Sequence, residues 1–313
     1  MLEIYFGGIR NLLIKSNLME SSTAELAQQI KDSITCEFYR VLGMGNQRWF
    51  QRITAPFVDS PTTKFAALLL AFDAQVNQIG LQETAGNYLD QFVCQKQVRG
   101  QEHIPADGPV IVVSNHPGAF DGVFLASSIT RCDLKAVVTG VAVLQALPEM
   151  NQRFIYTSED PYQRMSAFRA ALRHIQKGGV LLTFGTGIVD PDPAFLGTAS
   201  TALVPWSDSL ALFLQKCPAA RVVPAVVSGV LERAYYDLLP VRWIPDRVRR
   251  QKLAEYLMVM QMLRHSKKFD VIPCLSFGVP YELVDASMTA SEILPEIMSS
   301  ANQLLHEHMQ EFY

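Results

Sequence analysis

The first ninety residues carry apolar side chains at helical intervals. Ser22 with Glu25 three positions later reads as a capping box, and Leu26, Ile30, Ile34, Phe38 and Val41 then recur on one face until Gly43 stops the run. Ser60-Pro61 reads as a second start, with serine as N-cap and proline at the first helical position, for a helix running to Gly80. A third helical segment, about Thr84–Gln95, places Ala85, Tyr88, Leu89 and Phe92 on one side. No chemistry stands out in these segments, and together they predict a helical cap over a core.

The periodicity changes near residue 95. Asp107-Gly108-Pro109 is a turn that discourages helix, and Val110-Ile111-Val112-Val113 then reads as a buried strand ending at Ser114. A helical pattern follows from Pro117 to about Ile129, then a strand over Lys135–Val138. Ser166–Lys177 is a helix stopped by Gly178-Gly179, and it leads into the strand Val180–Phe184. Ser207 caps a helix over Asp208–Cys217, which feeds the strand Arg221–Val227. A strand over Asp270–Phe277 and a terminal helix complete the pattern. Continuously apolar strands alternating with amphipathic helices predict an α/β fold, with a mostly parallel or mixed central sheet covered by helices on both faces. The expected organisation is an N-terminal helical subdomain (1–94) and an α/β domain (95–313). No internal repeat or low-complexity segment is visible.

Composition narrows the class. With 49% apolar and 18% charged residues in 313, the chain can bury a large core or meet an apolar surface. A net charge of −3 gives no overall attraction to nucleic acid. Cys36, Cys94, Cys132, Cys217 and Cys274 are scattered without a C-x-x-C pair, which suits structural thiols in a reducing compartment. The runs Phe65–Phe72 and Val137–Leu144 are too short for the roughly 18–20 residues of a membrane span. The opening MLEIYFGGIRNLLIK lacks the basic lead and cleavage pattern of a signal peptide. A cytoplasmic protein, possible as a peripheral one on the inner membrane face, is the expectation.

The sharpest candidate site is Ser114-Asn115-His116-Pro117-Gly118-Ala119-Phe120-Asp121, where a buried strand gives way to a helix. Open α/β sheets place ligands at such strand ends. His116 can act as a general base because imidazole titrates near neutrality. Asp121 can bond the far ring nitrogen, fix its tautomer and stabilise the imidazolium. Five residues on an ideal helix turn through about 500°, so the pair can meet only if His116 precedes the helix, as Pro117 at the first helical position would allow. The spacing alone is common; its place after a strand gives it weight.

Asn115-His116-x4-Asp121 resembles the first signature block of the glycerolipid acyltransferases, the glycerol-3-phosphate and lysophosphatidate acyltransferases. Val98-Arg99-Gly100 through Gly108-Pro109-Val110 is similar to the family's lead-in to that block. Gly178 through Thr186 occupies the place of its Phe-Pro-Glu-Gly-Thr-Arg block, Val222–Val226 that of its proline-centred strand, and Ser276–Pro280 that of its late Gly-x-Pro. The likeness covers about residues 95–285 in the right order. It implies acyl transfer from a thioester, acyl-CoA or acyl carrier protein as co-substrate, to a hydroxyl or amine of a lipid-like acceptor. His116 and Asp121 would be catalytic, with Asn115, Gly185, Thr186 and Gly187 at the substrate. Those glycines either expose N–H groups to an oxyanion or simply make a tight turn. No cofactor and no metal is called for, and no serine lies in a G-x-S-x-G elbow.

The departures are specific. Phe184 stands where the family has glutamate and Gly187 where it has arginine, and no arginine follows Phe154–Thr157, although Arg153 lies upstream. In the family these basic residues are implied in gripping the acceptor phosphate. Here Asp190 and Asp192 follow instead, either as a solvated turn or as carboxylates facing the site that would repel a phosphate. The acceptor is therefore expected to be other than glycerol 3-phosphate. Arg242, Arg247, Arg249, Arg250 and Lys252 flank Trp243 and Ile244, a pattern for an anionic membrane surface, an acyl carrier protein, the phosphates of coenzyme A, or a solvated helix face. His306 and His308 read as surface residues, and His103, His174 and His265 carry no pattern. A thioesterase-like hydrolase and a non-catalytic lipid- or carrier-binding protein of the same fold are the alternatives.

Overall fold

In the computed structural model the described residues are 24–40, 42–118, 120–139, 142–196, 203–265 and 268–313. Ser22, Val41 and the opening fifteen residues lie outside them. Eight strands form one sheet: β1 (Gln97–Arg99), β2 (Val110–Ser114), β3 (Lys135–Thr139), β4 (Phe154–Thr157), β5 (Val180–Phe184), β6 (Arg221–Ser228), β7 (Cys274–Phe277) and β8 (Tyr281–Glu282). Their order is β1-β7-β6-β2-β5-β3-β4, with β8 also on β6. β2 runs parallel to both β5 and β6, whereas β7 and β8 pair with β6 antiparallel. The sheet is thus mostly parallel, as the continuously apolar strands predict.

Alternation along each strand divides the core between the two faces. Val110 and Val112 of β2 join Leu182, Val223 and Leu275 under the N-terminal helices and the helices Asp121–Ser128 and Arg247–His265. Ile111 and Val113 join Leu181 and Val222 under the helices Pro161–Gln176, Ser209–Lys216 and Ala290–Phe312. The three valines and the isoleucine of β2 are fully buried, so β2 is the spine of the molecule. The helices before residue 95 share the first of these cores with the sheet, through Ile30, Ile34, Phe38, Tyr88, Leu89 and Phe92. Asp73 ties them on further by accepting the N–H of Met150 at 2.8 Å.

Several boundaries differ from the sequence reading; the late strand is Cys274–Phe277 rather than Asp270–Phe277, and the third helix is Leu81–Phe92. Pro61 does not start a helix: one helix spans Arg48–Ile79 with Pro56 and Pro61 inside it. Each proline removes one N–H from the ladder, and the helix carries through while burying Val58, Pro61, Thr62, Ala66 and Phe72 against the core. The helix after β2 begins at Asp121 rather than Pro117. The helix placed at Ser166 begins at Pro161, where the Asp160 carboxylate accepts the Gln163 N–H at 2.8 Å.

His308 is not a surface residue. It is fully buried between two strands, with Nε2 2.7 Å from the Ser228 hydroxyl and Nδ1 2.8 Å from the Ser276 hydroxyl. It thereby fastens the helix Ala290–Phe312 to β6 and β7, while His306 stays exposed beside Gln310. Burial, aided by the Arg99 charge, pulls its pKa down from 6.5 to about 3. A histidine kept neutral in the fold takes up a proton on unfolding whenever pH lies between these values. Its contribution to stability is complete above 6.5 and is lost as pH falls towards about 3. Urea unfolding at a series of pH values should therefore show stability falling on acidification, with a shallower slope in His308→Gln. Equal slopes would remove His308 from the pH response.

Candidate active site

Ser114 is the last residue of β2, and Asn115, directly after it, is 1% exposed. Its amide donates to the Val227 carbonyl at 2.9 Å and accepts the Val227 N–H at 2.8 Å, extending the β2–β6 ladder by a side chain. Asn115 therefore braces the chain ahead of His116, its amide committed to the backbone of β6. His116 emerges at the carboxyl edge of the parallel strands with its side chain 29% exposed. Its Nδ1 lies 2.7 Å from Asp121 Oδ2, and the same oxygen accepts the Gly118 N–H at 2.8 Å.

The meeting of His116 and Asp121 depends on the turn between them. Gly118 has φ 90°, in the left-handed region that glycine adopts without strain, and Asp121 N–H returns to the Gly118 carbonyl at 3.3 Å. Pro117 lies before this turn rather than at the first helical position. Asp121 is 2% exposed and stands in the first helical turn, where the helix dipole favours its carboxylate. With Nδ1–H committed to Asp121, Nε2 is the nitrogen left for a substrate.

Asp190 and Asp192, expected in a solvated turn or facing the site, are buried braces, 4% and 1% exposed. Asp192 accepts the N–H groups of Ala194, Gly229 and Val230 at 3.0, 2.9 and 2.9 Å, locking its loop onto the end of β6. Asp190 Oδ2 accepts the His116 N–H at 2.8 Å and the Thr186 hydroxyl at 3.2 Å, and the Asp190 N–H returns to the His116 carbonyl at 2.7 Å. Burial pushes both carboxyls above the usual carboxylate range, and these N–H and hydroxyl donors oppose the shift.

The Gly185–Gly187 loop is largely spent on structure. Gly185 N–H donates to the Ser114 carbonyl at 2.9 Å and Gly187 N–H to that of Phe184 at 3.2 Å. Gly185 must be small because a Cβ there would meet the Trp206 indole at 2.1 Å, whereas Gly187 is needed for its φ of 70°. Neither glycine offers an N–H to an oxyanion; among the described residues only the Thr186 N–H of this loop meets no carbonyl. Phe184, in the glutamate's place, stacks on His116 with ring centroids 4.1 Å apart and planes at 22°.

Two residues absent from the sequence reading, Gln251 and Glu255, complete the site from the helix Arg247–His265, together with Arg247, which the sequence reading placed only in a basic cluster. The Gln251 amide donates to the carbonyls of Pro117 and Asp190, the latter at 2.9 Å. Glu255 lies against Gly118, and the charge of Arg247 reaches Asp190. Nothing local in the sequence marks them, since the contacts span more than a hundred residues from Pro117. Of the arginines that might have replaced the family's pair, Arg153 sits at the opposite, amino-terminal end of β4. Burial, the largest influence on His116, lowers its pKa, but Asp121, Glu255 and Asp190 together more than offset it. The imidazole is therefore more basic than usual. Among the described residues no three His, Cys, Asp or Glu side chains converge as a metal site would require.

A histidine oriented by a buried aspartate at the carboxyl edge of a parallel sheet is an acid–base site of the kind used in group transfer. Residues 95–228 match the family model described as Acyltransferase, which bears out over that stretch the resemblance drawn from the motifs. Acyl transfer is the chemistry this match supports. No curated protein matches the chain in sequence. The crystal structure of the 1-acyl-sn-glycerophosphate (LPA) acyltransferase PlsC from Thermotoga maritima aligns over 78% of this chain and 95% of that one, at 14% identity and a TM-score of 0.43.

His116→Ala should abolish turnover of an acyl thioester without changing the melting temperature much. Asp121→Asn should lower kcat by roughly 10⁴-fold, the order found where an aspartate sets a histidine's tautomer. Because the base must be neutral, kcat/KM should fall on acidification through a pKa above the ordinary 6.5 of histidine. A limb at or below that value would contradict the three-carboxylate environment.

Proposed function

We propose that the chain transfers an acyl group from a thioester, carried on coenzyme A or an acyl carrier protein, to a hydroxyl or amine of a lipid-like acceptor. The observation that carries this reading is the His116–Asp121 pair held by the Gly118 N–H with Nε2 left for a substrate. His116 Nε2 takes the acceptor's proton as the acceptor attacks the thioester carbonyl. Asp121 steadies the imidazolium, and the proton then leaves with the thiol. No acyl-enzyme is required. Labelled acyl thioester incubated with and without acceptor tests the reading: acylated acceptor supports transfer, and free acid alone would make the protein a hydrolase.

The acceptor in this reading lacks a phosphate. Asp192 no longer supports that view, because its carboxylate is turned into the fold. Its support is the apolar Phe184 ring over His116 and the lack of arginine at Gly187. A missing ion-pair partner in a buried site costs roughly 3–5 kcal/mol, a hundredfold or more in affinity. Assayed side by side with one acyl thioester, glycerol 3-phosphate and lysophosphatidate should turn over far more slowly than a neutral or amine-bearing acceptor. Efficient acylation of glycerol 3-phosphate that is lost in Arg247→Ala would instead assign the phosphate grip to Arg247.

We place the donor or acceptor delivery at an anionic surface, a membrane or an acyl carrier protein, met by Arg242, Arg247 and Arg249. Among the described residues no helix is long and apolar enough to cross a membrane. Trp243 is 78% exposed and Leu239 66%, beside the exposed Arg242 and Arg247. Arg250 does not belong to this group: its guanidinium donates to the Tyr236 carbonyl at 3.1 Å and lies 4.0 Å over that ring. Arg242→Glu with Arg247→Glu should weaken binding to phosphatidylglycerol vesicles or to acyl carrier protein, at about 1 kcal/mol per cation, and added salt should mimic the effect. Unchanged binding to both would return this stretch to an ordinary solvated face.

A further inference from the structure

The helix Arg247–His265 lies outside the matched segment 95–228, yet it closes over the His116 turn. Gln251 and Glu255 are four residues apart and so project from one side of that helix. Gln251 is 2% exposed, and its amide nitrogen bonds carbonyls on both loops that hold the histidine: Pro117 on the exit from β2, and Asp190 on the loop that grips the His116 N–H. One turn further on, the Glu255 carboxylate presses against Gly118. A Cβ on that glycine would come within 2.0 Å of Glu255 Oε1 and 2.5 Å of its Cδ. Gly118 is also the residue whose N–H holds Asp121. The same helix side therefore meets the Pro117–Gly118 turn and the Asp190 loop, two backbone segments that set the His116–Asp121 geometry.

We propose that Gln251 and Glu255 are positioning residues for His116: Gln251 ties together the two loops that carry it, and Glu255 backs the Gly118 turn with a second negative charge beside the imidazolium formed during transfer. This rests on His116 acting as the base. The charged groups facing the ring are Asp121 from its own turn, Asp190 from the adjoining loop and Glu255 from the covering helix, with Arg247 acting on Asp190. Burial works against protonation of the ring, so each of these carboxylates matters to whether the imidazolium can form. The choice of glycine at 118 follows from its φ of 90°, and a side chain there would also displace the Glu255 carboxylate.

The test uses the full chain and two readouts, the NMR titration of the His116 ring and the pH profile of kcat/KM. Glu255→Gln, nearly isosteric but neutral, should lower the His116 midpoint and the acidic limb together, by about one pH unit. Glu255→Asp should restore most of that shift. Gln251→Met, which keeps the bulk and removes the donor, should lower kcat about tenfold with KM within about twofold, as expected when only the reacting geometry loosens. A role in folding alone would lower the melting temperature while leaving midpoint and limb in place. An unmoved His116 titration in folded Glu255→Gln overturns the charge role, whatever the activity does. Should that variant not fold, an unchanged kcat in Gln251→Met overturns the positioning role. If His116→Ala retains turnover, the general-base reading fails instead, and the His116 titration in Glu255→Gln still reports on the carboxylate.

Discussion

The bond between His116 Nδ1 and Asp121 Oδ2 is the constraint around which the carboxyl edge of the sheet is arranged. An aspartate buried to 2% needs partners for its charge, and it has two at under 3 Å, the imidazole and the Gly118 N–H. Both donors depend on a chain that turns back within five residues, which in turn depends on the left-handed backbone at Gly118. The strand behind the turn is held from both sides by parallel ladders, and Asn115 prolongs one of them. The mobile-looking part of the motif, a loop between strand and helix, is therefore fixed by hydrogen bonds at nearly every residue.

Buried carboxylates do much of the remaining positioning. Asp190 and Asp192 sit in one five-residue stretch but brace different elements, the first His116 and the second the end of β6. Each exchanges solvation for charge-assisted bonds to backbone N–H groups, which are stronger than neutral ones. Leaving such an N–H unsatisfied in the core costs roughly 1–3 kcal/mol, so the three donors held by Asp192 outweigh much of its desolvation. The carboxylates that looked like an electrostatic barrier to a phosphate are thus part of the scaffold. The apolar ring of Phe184 lies over His116, and the charge of Arg247 acts on Asp190.

The core explains why the catalytic edge can be so densely bonded. Alternate residues of β2 enter different hydrophobic clusters, so helices cover both faces and leave only the strand ends exposed to chemistry. The C-terminal helix is locked to the far side of β6 and β7 through His308, and the Arg247–His265 helix covers the near side. Gln251 and Glu255 reach the site from that second cover, joining a packing element to the reacting histidine.

The sequence by itself determined the α/β class, the buried strands Val110–Ser114, Val180–Phe184 and, to within a residue, Arg221–Val227, and the pairing of His116 with Asp121. Those features are written in local periodicity and short spacing, which one stretch of chain can carry. Tertiary structure alone decided what depends on distant partners. The long helix through Pro56 and Pro61 overrides the local start signal at Ser60-Pro61 because its inner face is buried against the core. Asp190, Asp192, Asn115 and His308, polar residues that read as loop, ligand or surface positions, were claimed by burial and by partners up to 112 residues away, backbone groups for the first three and serine hydroxyls for His308. Gln251 and Glu255 had no legible signature, and Arg247 was legible only as part of a basic cluster, since only the folding of a remote helix onto the Gly118 turn brings them to the histidine.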